Sequence, residues 1–222
     1  RGLEPATLRR ASRVIREQCC CRKVGALVGP AVVSELLAER PNAFICASRF
    51  PEVIQRAREA FVGPYVRVYA SSDLRGVEVS ASAASVGAIG VGLILEQQMG
   101  PATLAMMVSR GVAEISRVVA AAGGNAQSAM GLAGLGELMV HRETESREVV
   151  AGRLLARGKS VEQVVKELGA LDALETARAF QDLAERLQVS VHIAPVVADL
   201  IDGSAGVDEA LHRLMSLAQM AD

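Results

Sequence analysis

Few side chains in this sequence can do chemistry, and their spacing limits what chemistry that is. Three of the four cysteines stand together as Cys19, Cys20 and Cys21, with Cys46 far along the chain. Adjacent cysteines cannot spread around a tetrahedral ion as paired CxxC motifs do, so they read as reduced thiols in a protein without a disulfide framework. The histidines are His141, His192 and His212, none with a second histidine or cysteine three or four residues away, so no metal site is expected. His141 follows the glycine-rich GLAGLGELMV, Gly131 to Val140, and lies near Glu137, Glu143, Glu145 and Arg147. An imidazole beside carboxylates is proton-transfer chemistry, yet from spacing alone this cluster reads as a solvated polar loop. Bare glycine amides can cradle an anion. Here, however, the glycines follow a helical pattern rather than a strand, and neither GxGxxG nor GxxxxGK with a following Ser or Thr occurs. Glu96, Asp199 and Asp202 border apolar runs and read as helix-end charges.

The elements that must position these residues follow from apolar periodicity. The chain has 222 residues, half of them apolar, with a formal charge of −1. It can bury a core, and it lacks the basic stripe that nucleic acid or an anionic membrane surface requires. TLRRASRVIREQ, SELLAER and EVIQRAREAF have helical spacing, and between and after them VGALVG, AFICAS and VRVYAS are short apolar or alternating runs. This alternation predicts βαβ units and a mostly parallel sheet. Beyond Asp73 the pattern predicts helices over Leu74–Gln98, Ala102–Ala122, Glu145–Arg157, Val161–Leu168, Leu171–Leu187, Ile193–Ile201 and Val207–Met220. The fold class is therefore α/β followed by all-α, with residues 1–72 as the first domain and 73–222 as the second. Val79 to Leu95 carries no charge but falls short of the ~20 apolar residues of a membrane span. Its Ser and Gly content predicts a buried helix whose neighbours approach closely. No signal peptide is legible. The chain begins at Arg rather than Met, as a fragment or processed product would.

Several segments together resemble the NAD(P)-dependent glycerol-3-phosphate dehydrogenase family. They are GLAGLGEL, GVEVSASAASVGAIGVG from Gly76 to Gly92, SRGVAEI from Ser109 to Ile115, the opening RGLEP, and VGP at Val28 to Pro30 with Glu35 and Pro41. The resemblance implies a Rossmann-type dinucleotide-binding domain, a helical domain, and an active site between them. It also implies hydride transfer from a nicotinamide to interconvert dihydroxyacetone phosphate and glycerol 3-phosphate, in the cytoplasm, within glycerophospholipid metabolism. The alkoxide formed on reduction needs a cationic proton donor, and the phosphate needs Arg or a nest of amides.

Carried over residue by residue, the resemblance departs from the family at the chemistry. The proton-donor lysine falls on Ala84, within Ser82-Ala83-Ala84-Ser85, so no catalytic residue is assigned. A second lysine falls on Arg1, too basic to shuttle protons. The substrate aspartate falls on Glu137, one methylene longer. The phosphate-binding triplet keeps Ser146 and Arg147 but has Glu148 in place of Asn, where a carboxylate would repel phosphate. A threonine position falls on His141. Gly29 matches the glycine-proline turn, followed by Ala31 instead of Ser or Thr, and a cofactor-side Glu-Gly pair reads Asp172-Ala173. The resemblance thus assigns substrate contacts to Arg1, Gly29, Glu137, Ser146 and Arg147, and cofactor contacts to Arg147 and Asp172. The cofactor implied is NAD or NADP, although the family's dinucleotide fingerprint would precede Arg1. Either that half is encoded upstream, or the sheet edge pairs with another surface. The expected ligand is a small phosphorylated metabolite, in a homodimer without nucleic acid or a membrane span. Three readings stand: a dehydrogenase impaired in the usual reaction, a dehydrogenase with a changed substrate, and a non-catalytic binding or interaction protein on the same scaffold.

Overall fold

Helix and strand alternate through the first seventy residues of the computed structural model, which describes residues 2–143 and 145–216. α1 (Ala11–Gln18) is followed by β1 (Gly25–Val28), α2 (Val33–Leu37), β2 (Asn42–Ser48), α3 (Pro51–Phe61) and β3 (Val66–Ser71). Pro51 opens α3, where its missing N–H would have had no helical partner. α3 crosses over so that β2 and β3 pair in parallel, from Asn42 opposite Val66 to Ala47 opposite Ser71. β1 departs from the parallel expectation and pairs antiparallel with β2, Gly25 opposite Ser48. The intervening α2 has five residues, too short to return the chain along the length of the sheet as a crossover helix does.

From Leu74 the described chain is helical. The elements are α4 (Leu74–Glu96), α5 (Gly100–Ala121), a 3-10 turn at Ala126–Met130, a π-helical turn at Leu132–Gly136, α6 (Glu137–Glu143), α7 (Arg147–Ala156), α8 (Val161–Leu168), α9 (Asp172–Arg186), α10 (Ile193–Ile201) and α11 (Val207–Ser216). An α/β piece followed by helices is the predicted class. The end of the helix predicted to Met220 lies outside the described residues.

α4 is the axis of this assembly, with α5, α7 and α9 packed around it. Every residue from Gly76 to Ile94 is buried. Its apolar window is long enough to cross a membrane, and all of it is enclosed by the fold. A helix apolar on all sides is stable only when covered on all sides, and small residues let the covering helices come near. The approach is closest where α4 crosses α7. A Cβ on Gly92 would lie 2.1 Å from the Val149 carbonyl oxygen, and one on Gly152 would lie 2.0 Å from that of Ile89. The buried serines are partly satisfied within the helix: Ser82 Oγ donates to the Glu78 carbonyl at 2.8 Å and Ser85 Oγ to that of Ser82 at 2.7 Å.

Asp73 fixes where α4 begins. One carboxylate oxygen accepts from Gly76 N at 2.9 Å, and the other accepts from Asn125 N at 2.8 Å and Ser128 Oγ at 2.7 Å. One side chain thus caps α4 and holds the 3-10 turn against it. Asp73→Ala is expected to cost about 2 kcal/mol, seen as a lower urea midpoint at unchanged slope. Asp73→Asn keeps the cap acceptor and should lose less.

Candidate functional site

A cleft of about 390 Å³ opens between α1, β1 and α4, bordered by Gly2, Ser12, Gly29, Ala31, Glu78 and Ser82. On one wall Glu78 Oε2 accepts from Arg10 Nη1 at 2.6 Å and from Ser12 Oγ at 2.6 Å, while Oε1 accepts from Ser12 N at 2.8 Å. Burial works against the Arg10 charge and is the largest influence on it, with Glu78 opposing that effect. The pair ties α1 to α4 and leaves this wall without an uncompensated charge. Sequence reading missed it, since its members stand 66 and 68 residues apart. Removing one partner strands the other, so Arg10→Ala is expected to destabilise the protein by about 3 kcal/mol. Chemical denaturation checks this, with Arg13→Ala on the exposed face of α1 as the neutral comparison.

Gly29, which also lines the cleft, leads to a second buried polar cluster. Gly29 follows β1 at φ 147°, and a Cβ there would lie 2.8 Å from the Ala43 carbonyl oxygen, so no side chain fits. Its N–H donates to Glu137 Oε1 at 3.2 Å. Glu137 starts α6 directly after the π-helical turn, and its Oε2 lies 3.8 Å from His141 Nε2, one helical turn on. His141 Nδ1 lies 2.9 Å from Ser146 Oγ, which also caps α7 by accepting from Val149 N. Glu137 is 2% exposed and His141 4%. The polar loop expected here is corrected: the glycine-rich stretch is helical, and Glu137 and His141 are buried. The side chain of Glu143 lies outside the described residues. The signal overlooked was the i, i+4 spacing of Glu137 and His141, which puts both on one face of a helix.

Other assigned residues lie elsewhere. Arg147 Nη2 donates to the Leu168 carbonyl at 2.5 Å and the Ala170 carbonyl at 2.9 Å, closing the end of α8. Asp172 is the exposed first residue of α9, beside Gly2, and Ala173 is buried. Glu148 is in the first turn of α7, where a negative charge suits the helix dipole. Ala84 is 0% exposed, inside the main apolar cluster. Arg1 lies outside the described residues. His192 pairs with Glu114 at 3.3 Å, at the start of α10.

The described residues do not fit a dinucleotide. The turn after β1 carries one glycine followed by Pro30, and the turn after β2 enters α3 at Pro51, whose missing N–H removes a donor from that helix end. Arg147 already holds two carbonyls.

The family model described as the NAD-dependent glycerol-3-phosphate dehydrogenase C-terminus matches residues 73–212. The chain belongs to the NAD-dependent glycerol-3-phosphate dehydrogenase family. A glycerol-3-phosphate dehydrogenase, NAD(P)+, of Paracidovorax citrulli is 38% identical over 202 residues, 90% of this chain and 59% of its own. One from Acidovorax ebreus is 35% identical over 217 residues, 97% of this chain and 66% of its own. The chain thus spans about three fifths of the Paracidovorax relative's length. The fold matches a glycerol-3-phosphate dehydrogenase from Coxiella burnetii with TM-score 0.88 at 23% identity, covering 99% of this chain and 67% of that one. A Saccharomyces cerevisiae glycerol-3-phosphate dehydrogenase matches with TM-score 0.79 at 20% identity, covering 96% of this chain and 66% of that one.

Proposed function

We propose that this chain is the substrate-side part of a glycerol-3-phosphate dehydrogenase-type oxidoreductase, impaired in interconverting dihydroxyacetone phosphate and glycerol 3-phosphate. The observation that carries the reading is Ala84, a 0% exposed methyl group on the core helix at the position the resemblance gives to the proton-donating lysine. A new alkoxide without a proton donor loses about 10²–10⁴ in rate. α4 has no lysine that could serve instead. Residues 1–72 would form only the later half of a Rossmann-like domain, without its dinucleotide fingerprint, and 73–222 the helical unit of a cytoplasmic homodimer, with a small phosphorylated metabolite as ligand and no nucleic acid or membrane partner. NAD or NADP belongs to the reading by kinship with relatives named as NAD(P)+ enzymes.

The test is NADH consumption by the full-length gene product with dihydroxyacetone phosphate, beside an unmodified family enzyme, together with calorimetric titration of both triose phosphates. Turnover at least about a hundredfold below the reference is expected. Comparable turnover would overturn the reading. A second reading, a binding protein without catalysis, is favoured by the engagement of Arg147 with the α8 carbonyls. Absence of binding heat with either triose phosphate would turn the conclusion toward interaction alone.

A further inference from the structure

Away from the cleft, apolar side chains gather in water at one end of the sheet. β2 and β3 run parallel and start together, Asn42 opposite Val66. Asn42 ties two neighbouring segments to that end. Its Oδ1 accepts from Val32 N at 3.0 Å, just before α2, and its own N–H donates to the Tyr65 carbonyl at 2.7 Å, just before β3. α2 buries none of its five residues, and Val33 and Leu37, one turn apart on the same face, are 70% and 82% exposed. Phe61 ends α3 with its ring centroid 6.5 Å from that of Phe44, yet Phe61, Val62 and Tyr65 are all exposed. Single apolar residues scattered over a surface are ordinary, whereas five gathered at one end, two of them aromatic, have the composition of an interface.

We propose that this end of the α/β unit is the face on which two copies of the chain pair, α2 of each copy lying against the Phe61–Tyr65 segment of the other. The proposal rests on the homodimer of the preceding reading and assigns its face. Area supports a second copy as the occupant. At about 100 Å² for a fully exposed aliphatic side chain and about 200 Å² for an aromatic one, the five residues leave about 400 Å² of apolar surface in water. Two such patches face to face remove about 800 Å². With the about 65% apolar share of a homodimer interface, that corresponds to about 1,200 Å² in all, the lower end of what specific association needs. Charge supports it as well. Glu39, directly after α2, has no ion-pair partner among the described residues, and Arg67 donates only to backbone carbonyls, that of Gly63 at 2.8 Å being the nearest. In a two-fold pair each contact occurs twice, so a rim that offers one acid and one base complements itself.

The association is read by sedimentation velocity of the full-length gene product from about 1 to about 100 μM, with reductant present because Cys19, Cys20 and Cys21 are exposed. A reversible dimer with a micromolar dissociation constant is expected. Leu37→Glu and Val62→Glu should each raise that constant at least about tenfold, because each removes an apolar contact in both copies and places an unpaired charge in the interface. Met139→Glu, at an exposed apolar residue of α6, should leave it unchanged. Glu39→Arg and Arg67→Glu should each weaken the dimer, and the two together should restore it. Calorimetric Tm values within about 2 °C of the parent show that the fold is kept; if one patch variant falls outside that range, the other, in a separate element, carries the test. A dimer unmoved by both patch variants, or broken by Met139→Glu, overturns this face and keeps the homodimer. Monomer at every concentration overturns both. Dehydrogenase activity of the same preparations is a separate readout, so the catalytic reading stands or falls independently of the mass.

Discussion

Gly92→Ala and Gly152→Ala are each expected to destabilise the protein by about 3 kcal/mol, a fall in Tm of about 6–12 °C by calorimetry. The added methyl group would sit about 2 Å from a backbone carbonyl oxygen of the facing helix. A flexible side chain could swing away from it, but a helical carbonyl cannot, so α4 and α7 must separate along their crossing. Separation then exposes or loosens neighbours such as Ile89 and Val149, both fully buried. Because the two glycines face one another, once the helices have parted the second methyl meets less resistance, and the double variant should fall short of the sum of the singles. Gly63→Ala, where nothing lies within 4 Å of the new Cβ, is the control and should change stability little. A Tm loss below about 2 °C for either core variant would mean that the helices pack less closely than described.

The second large effect concerns position 84. Ala84→Lys, which in the proposed reading would return the proton donor, is expected to cost about 3–5 kcal/mol and to give no gain in dihydroxyacetone phosphate reduction by itself. The site is 0% exposed within an apolar cluster, so a lysine there must either displace its neighbours to reach water or give up its proton. Ala84→Met adds a comparable chain without the charge and separates the two contributions. If methionine costs as much as lysine, crowding dominates; if lysine costs more and its penalty shrinks as pH rises, the buried charge dominates. A lysine variant of native stability that reduces the ketone would show position 84 to be open to the cleft and would refute the closed-core description.

Periodicity carried the helical part of the fold well. The helices at Val161–Leu168 and Ile193–Ile201 end where their apolar spacing ends, because local capping and one-sided burial are written in neighbouring residues. The same logic failed at GLAGLGELMV, where three glycines signalled a turn and the chain instead forms a π-helical turn running into α6. There the low helix propensity of glycine is overridden by packing: a Cβ on Gly134 would lie 2.2 Å from the Ala129 carbonyl oxygen. The direction of β1 was also beyond local pattern, since an apolar run pairs equally well either way and the length of the connection decides.

The candidate site divides along the same line. Gly29 and Glu137, 108 residues apart, were named together through resemblance, and the fold brings them into hydrogen-bonding contact. Arg147 was named with them, yet its guanidinium closes α8. By itself the sequence determined the order of strands and helices, the burial of α4 and the residue types available for chemistry, because each depends on neighbours within a few turns. Only the tertiary structure decided that Glu78 would be held by Arg10 and Ser12, that Glu137 and His141 would be buried together, and that position 84 would face the core. Those outcomes depend on which surfaces meet across tens of residues of chain, and no local pattern encodes that distance.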